Sequence, residues 1–161
     1  MTLVIPDLSA DVVIAGLSLN NVVPATVGGR MVLIGNRVDF MDVGPAEPVQ
    51  FKEKLALVDG MDYGGVWKGA RNIDIKGITF ASSRAAAFAA VSLIEAAVTA
   101  VSGTFGLVAI TFTSGGVVKS ITARPNGLHV PSRRNTAGGV AGEAISIGWE
   151  FTAHAMNPAV T

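Results

Sequence analysis

Two histidines, His129 and His154, are the only imidazoles in a chain without cysteine. Acid–base or nucleophilic chemistry at neutral pH would have to be built around one of them. Neither lies in a motif that would recruit it. The sequence has no Gly-x-Ser-x-Gly elbow, no His-Glu-x-x-His pair and no glycine-rich phosphate loop ending in Lys-Ser/Thr. The cluster Gly138-Gly139-Val-Ala-Gly142 has loop composition but precedes a strand-like segment, so no helix N-terminus follows it to hold a phosphate. Asp59 and Asp62 stand beside glycines without the alternating oxygen ligands of a calcium loop, and read as turn formers. Arg133 and Arg134, with Lys119 and Arg124 nearby in sequence, form at most a small basic patch without interleaved aromatics. That is a poor nucleic-acid surface and a reasonable source of salt bridges to a neighbouring subunit. No enzyme, metal site or cofactor is expected.

Composition points the same way. Half of the 161 residues are hydrophobic and 15% are charged, with 12 basic side chains balancing 12 acidic ones. Ordinary domains carry about 25% charge. A neutral, apolar chain self-associates unless its surface is already committed to a partner. The length is that of one domain, 1–161. The N-terminus lacks a basic region followed by a long apolar run, so no signal peptide is expected.

The elements that must carry any function are mostly short strands. Residues 1–30 read as an irregular N-terminal segment punctuated by Pro6, Pro24, Gly28 and Gly29. Strand-like runs follow at Met31–Gly35, Arg37–Val43 and Val49–Val58, then a glycine-rich connection over 59–69. Ile73 and Ile75 alternate, and Ile78 and Phe80 resume on the other phase, so Gly77 is expected to sit in a β-bulge. After the helix come Phe105–Thr113 and Val117–Arg124, joined through a three-residue Ser114-Gly115-Gly116 connection. Pro125-Asn126-Gly127 is expected to turn the chain before a short extended piece, 128–130. Residues 144–152 form the last strand, with Ile145, Ile147, Trp149 and Phe151 on one face, and 153–161 follow as a C-terminal exit tail.

One helix is expected, at about 83–102, capped by Ser82 or Ser83 and stopped by Gly103. Val91, Ile94, Val98 and Val101 form its aliphatic stripe, each worth about 1.5–3 kcal/mol when buried. Arg84, Phe88, Ser92, Glu95 and Thr99 fall on the opposite arc, and the remaining arc is alanine plus Leu93. Glu95 in the middle of the run argues against a membrane span, at a cost of a few kcal/mol. A helix with two apolar faces packs on its own sheet on one side and on something else on the other. Arg84, Phe88, Leu93 and Glu95, with Arg133 and Arg134 from the loop, are therefore the candidate oligomer-interface residues. The fold class is α+β, mainly β: an antiparallel sandwich or barrel-like core with one long helix packed on it.

Three pieces of the sequence carry a family likeness. They are Arg71-Asn-Ile-Asp-Ile-Lys-Gly77-Ile followed by the serine-capped helix; the run 117–130 with Arg124-Pro125-Asn-Gly127-Leu128; and Trp149-Glu-Phe-Thr-Ala-His-Ala-Met-Asn-Pro158. In that order, across roughly 50–158, they resemble the N-terminal domain of siphophage distal tail proteins, the baseplate hub proteins of long-tailed bacteriophages. The resemblance implies a structural virion protein made in the host bacterial cytoplasm. It would form a hexameric ring between the last tail-tube ring and the tail-tip hub, with a central channel that DNA crosses during ejection. Its partners would be copies of itself, the tail-tube protein and the hub protein. Many members continue beyond the proline exit into a second, carbohydrate-binding type of domain; this sequence stops there, and receptor binding is not expected of it. A tail-tube or tail-terminator subunit is the alternative within the class, and a monomeric ligand-binding β-barrel the alternative outside it.

Overall fold

The computed structural model describes residues 4–45, 48–50, 66–68, 70–99, 106–131, 145–157 and 159–161. Its elements in chain order are β1 (Val13–Ile14), β2 (Leu17–Ser18), β3 (Val23–Val27), β4 (Arg30–Val43), β5 (Pro48–Gln50), β6 (Val66–Lys68), β7 (Arg71–Ala81), α1 (Arg84–Thr99), β8 (Val108–Ser114), β9 (Val117–His129) and β10 (Ile145–Ala155). Eight strands form one antiparallel sheet in the order β2-β1-β8-β9-β10-β7-β4-β3, curled as half a barrel, while β5 and β6 pair separately. The fold is α+β and mainly β, and α1 packs on β7, β9 and β10.

The centre of the sheet is written in strict alternation. Along β7 the odd positions from Arg71 to Ala81 are buried and the even ones are not. Along β10, Ile147, Trp149, Phe151, Ala153 and Ala155 turn inward. The two strands pair without a register break from Ile145 opposite Ala81 to Ala155 opposite Arg71. Period-two burial of this kind fixes register, because a one-residue slip would turn every apolar side chain to the wrong face.

This pairing overturns the expected bulge at Gly77. β7 runs straight through it, with Gly77 and Thr79 on the core side and Ile78 and Phe80 outside. The glycine is required by a close approach instead. It lies directly opposite Trp149, and a Cβ there would fall 2.5 Å from Trp149 Cζ2 and 2.5 Å from the Arg37 carbonyl oxygen. The irregularities lie elsewhere, in β4 between Val38 and Phe40 and in the β9–β10 pairing.

Four further expectations change. The segment over 1–30 is not merely irregular, since it contributes β1, β2 and β3 and buries Val12, Ile14 and Leu19 completely. β1 pairs with β8 far along the chain, and that long-range partner outweighs local proline and glycine punctuation. The expected strands at 31–35 and 37–43 are one element, β4. The β8–β9 hairpin closes through two residues, because Ser114 pairs with Val117 and both Gly115 (φ 59°) and Gly116 (φ 77°) take the left-handed backbone that such turns need. Pro125-Asn126-Gly127 does not turn the chain either; it lies within β9.

The C-terminal segment does not leave the body. β10 continues to Ala155, and Thr161 exchanges two main-chain hydrogen bonds with Ser120 of β9, at 2.7 and 3.0 Å. Val160, partly buried against the core, accompanies this return. Most of the expected strand over 49–58, the connection over 59–69, and the helix stop at Gly103 lie outside the described residues.

Candidate assembly surface

Helix α1 begins where a serine can satisfy its free amides. Ser83 Oγ accepts from Ala86 N–H at 3.2 Å, and the Ser83 carbonyl accepts from Ala87 N–H at 3.0 Å. Ala87, Val91, Ile94 and Val98 are buried against the sheet. The opposite side is left uncovered among the described residues: Phe88 is 53% and Leu93 62% exposed. Between these two rims lie the exposed alanines 85, 89 and 96. The result is a flat strip of small side chains with one large apolar side chain on each margin, a shape that admits a second backbone closely.

Among the predicted residues the structure brings Arg84 and Phe88 together, with the guanidinium carbon 5.7 Å from the ring centroid. Glu95 is exposed on the same margin, where its main-chain carbonyl accepts from Thr99 Oγ1 at 2.6 Å. Leu93 stands on the far margin. Arg133 and Arg134 lie outside the described residues.

A second exposed apolar surface has no clear signature in the sequence. Among the described residues β3 pairs only with the first half of β4, Val23 opposite Ile34 through Val27 opposite Arg30, and β4 joins β7 only from Gly35 onward. The two-stranded arm so formed exposes Val23, Met31 and Leu33. The apolar residues spaced over 23–33 were the available signal, masked by Pro24 and the glycine pair.

The outer face of the sheet carries the histidines. His129 Nε2 lies 3.9 Å from Glu150 Oε1, and Glu150 Oε2 lies 3.5 Å from Lys76 Nζ. His154 Nδ1 is 2.8 Å from Asn72 Oδ1. A shallow hollow beside them is lined by Phe40, Asp74, Lys76, Glu150 and Asn126 among others. His129 meets the Glu150 carboxylate and His154 the Asn72 amide. Among the described residues no three His, Asp or Glu side chains gather where a metal ion could be held. Among the same residues no helix is long and apolar enough to cross a membrane.

The likeness stated from the sequence holds at the level of fold. Of solved structures, the crystal structure of the Dit protein of phage SPP1, described as a paradigm of the hub adsorption apparatus of phages infecting Gram-positive bacteria, aligns over 93% of this chain with a TM-score of 0.51 and 14% identity. The chain spans about half of that protein, 51% of its length. No family model matches the sequence, and no curated protein does.

Proposed function

We propose that this chain is a structural subunit of a long-tailed phage's tail. Copies close into a ring, six in number, at the distal end, between the tail tube and the tail-tip hub, and leave a channel through which the genome passes. The observation that carries the reading is the fold shared with a phage hub protein over nearly the whole chain, joined to the apolar outer face of α1, which is exposed among the described residues. Ring closure needs two different faces of one subunit to meet. The outer face of α1 and the β3–β4 arm are two such faces. A net charge of zero suits a conduit, because affinity for phosphates scales with the positive charges presented to them.

The ligand-barrel alternative has little support in this architecture: the core side of the sheet is occupied by α1 and by Trp149, Phe112 and Phe151. The test of the proposal is the mass of the purified chain by light scattering, with negative-stain images of the same material. Closed rings of one size support the distal-tail reading, and long stacked tubes favour a tail-tube subunit. A compact monomer at high concentration that joins no tail component overturns both.

A further inference from the structure

The Asn126–Gly127 dipeptide is left unused by the assembly reading, and its surroundings are unusual for a strand. Opposite β10, Leu128 pairs with Phe151 and Pro125 with Ala153, so Asn126 and Gly127 together face the single residue Thr152. A bulge of this kind interrupts the ladder and leaves residues without a cross-strand partner. Gly127 has φ 93°, and nothing lies within 4 Å of where a Cβ would be. Asn126 is exposed, and its side-chain Nδ2 donates to Thr152 Oγ1 at 3.0 Å.

We propose that Asn126 is a self-modification site, at which the amide is slowly converted to a carboxylate in water. Glycine offers no side chain to block its own nitrogen, so the deprotonated Gly127 amide can reach the Asn126 side-chain carbonyl. The Gly127 N–Cγ bond forms, the Cγ–Nδ2 bond breaks, and the nitrogen leaves as ammonia after taking up a proton. Water then opens the resulting five-membered imide. Opening at one carbonyl gives aspartate; opening at the other gives isoaspartate, with the main chain rerouted through the former side chain. No oxidant or reductant is needed.

Three of the other asparagines, Asn20, Asn36 and Asn72, are placed differently. Asn36 is buried with Oδ1 accepting from Thr79 and precedes Arg37; Asn20 is tied to two carbonyls, of Leu8 and Ala10; Asn72, near the start of β7, precedes β-branched Ile73. The Asn126–Thr152 hydrogen bond is the restraint that sets the pace, because it orients the amide along the sheet rather than back over Gly127. The product would add negative charge beside Asp74, which already faces Asp42 directly across β4 and β7.

The experiment is timed incubation of the full chain in mildly alkaline water enriched in heavy oxygen, followed by tryptic mapping of Ser120–Arg133. Electron-transfer fragmentation separates the two products. The expected result is conversion at Asn126 ahead of every other asparagine, one heavy oxygen per event, both isomers present, and a rate that rises with hydroxide. Thr152→Val should accelerate it several-fold while leaving the circular dichroism spectrum intact. An unfolded peptide of the same sequence sets the intrinsic rate. If that peptide converts fully while Asn126 in the folded wild type and in Thr152→Val stays intact, or if another asparagine reacts first, the proposal is overturned.

Discussion

The indole N–H of Trp149 donates to Thr79 Oγ1 at 3.0 Å, in the middle of the core. Thr79 then donates to Asn36 Oδ1 at 2.7 Å, and Asn36 Nδ2 donates to the Ser18 carbonyl at 3.3 Å. The chain crosses β10, β7 and β4 and ends on β2, so one line of hydrogen bonds ties the N-terminal segment to the centre of the sheet. Thr79→Val keeps the volume and removes both bonds made by the hydroxyl. The indole N–H and the Asn36 carbonyl would each be left buried and unpaired. At about 1–3 kcal/mol for each of the two orphaned buried groups, the variant should lose roughly 2–6 kcal/mol in urea unfolding. Thr79→Ser, which keeps the hydroxyl, should recover most of that.

Gly77→Ala tests the close approach of β7 to Trp149. The new methyl would press on the indole and on the Arg37 carbonyl oxygen at the same time. Overpacking of this sort costs about 1–3 kcal/mol or more. Adding Trp149→Phe removes the indole ring that clashes but not the main-chain oxygen, so the double variant should recover only part of the loss of Gly77→Ala. A double-mutant cycle in thermal or urea unfolding measures the recovered part. Full recovery would place the clash on the indole alone.

How much of this was legible in the sequence depends on what each residue answers to. The capped helix, its buried stripe and the inward face of β10 follow from residue period and local hydrogen bonding, and those were readable. Gly77 looked like a bulge because Ile73 and Ile75 seemed to give way to Ile78 and Phe80. In fact Thr79 is the inward residue, and it is inward because Trp149 supplies its partner from β10. No local pattern contains that information. The strands over 13–27 are hidden for the same reason: β1 is two residues long and owes its place to β8. Of the candidate site, the outer margin of α1 was visible as a conflict between apolar residues and a polar arc. The arm of β3 and β4 was not, since its exposure depends on where β7 stops pairing with β4.

The N-terminal turn has its own pH signature. Asp7 Oδ1 accepts from Ser9 Oγ at 2.7 Å and from Ser9 N–H at 3.0 Å, and these bonds to the charged form hold its pKa below the ordinary aspartate value, the side-chain bond contributing most. A folded-state pKa that is depressed adds stability above the unfolded pKa and loses it as pH falls through the folded one. The Asp7 main-chain N–H also donates to Thr113 at 2.7 Å, so the turn is docked on the end of β8. Acidification should therefore loosen this turn only at the acid end of the carboxylate range. Ser9→Ala should move the Asp7 midpoint upward, part of the way to the ordinary value because the main-chain bond remains. Carbon-detected NMR titration of the carboxyl reads it directly.

The sharpest pair of predictions contrasts two neighbours on α1. Ile94 is fully buried and Leu93, one residue earlier, is 62% exposed. Ile94→Ala should cost about 2–5 kcal/mol, the range for truncating a large core side chain. Leu93→Ala should change the unfolding free energy of the isolated chain by no more than about 0.5 kcal/mol, as surface substitutions do. Assembly should rank them in the opposite way if the outer face of α1 meets a neighbouring copy. Phe88→Glu, placed beside Arg84 within cation–π range, puts a charge where an apolar anchor is proposed and should abolish ring formation while leaving the monomer folded. Sedimentation together with urea melts separates the two effects. A chain carrying both Phe88→Glu and Leu93→Ala that still forms rings at wild-type concentration would move the contact off this helix, and the exposed arm of β3 and β4 would be the next surface to cut.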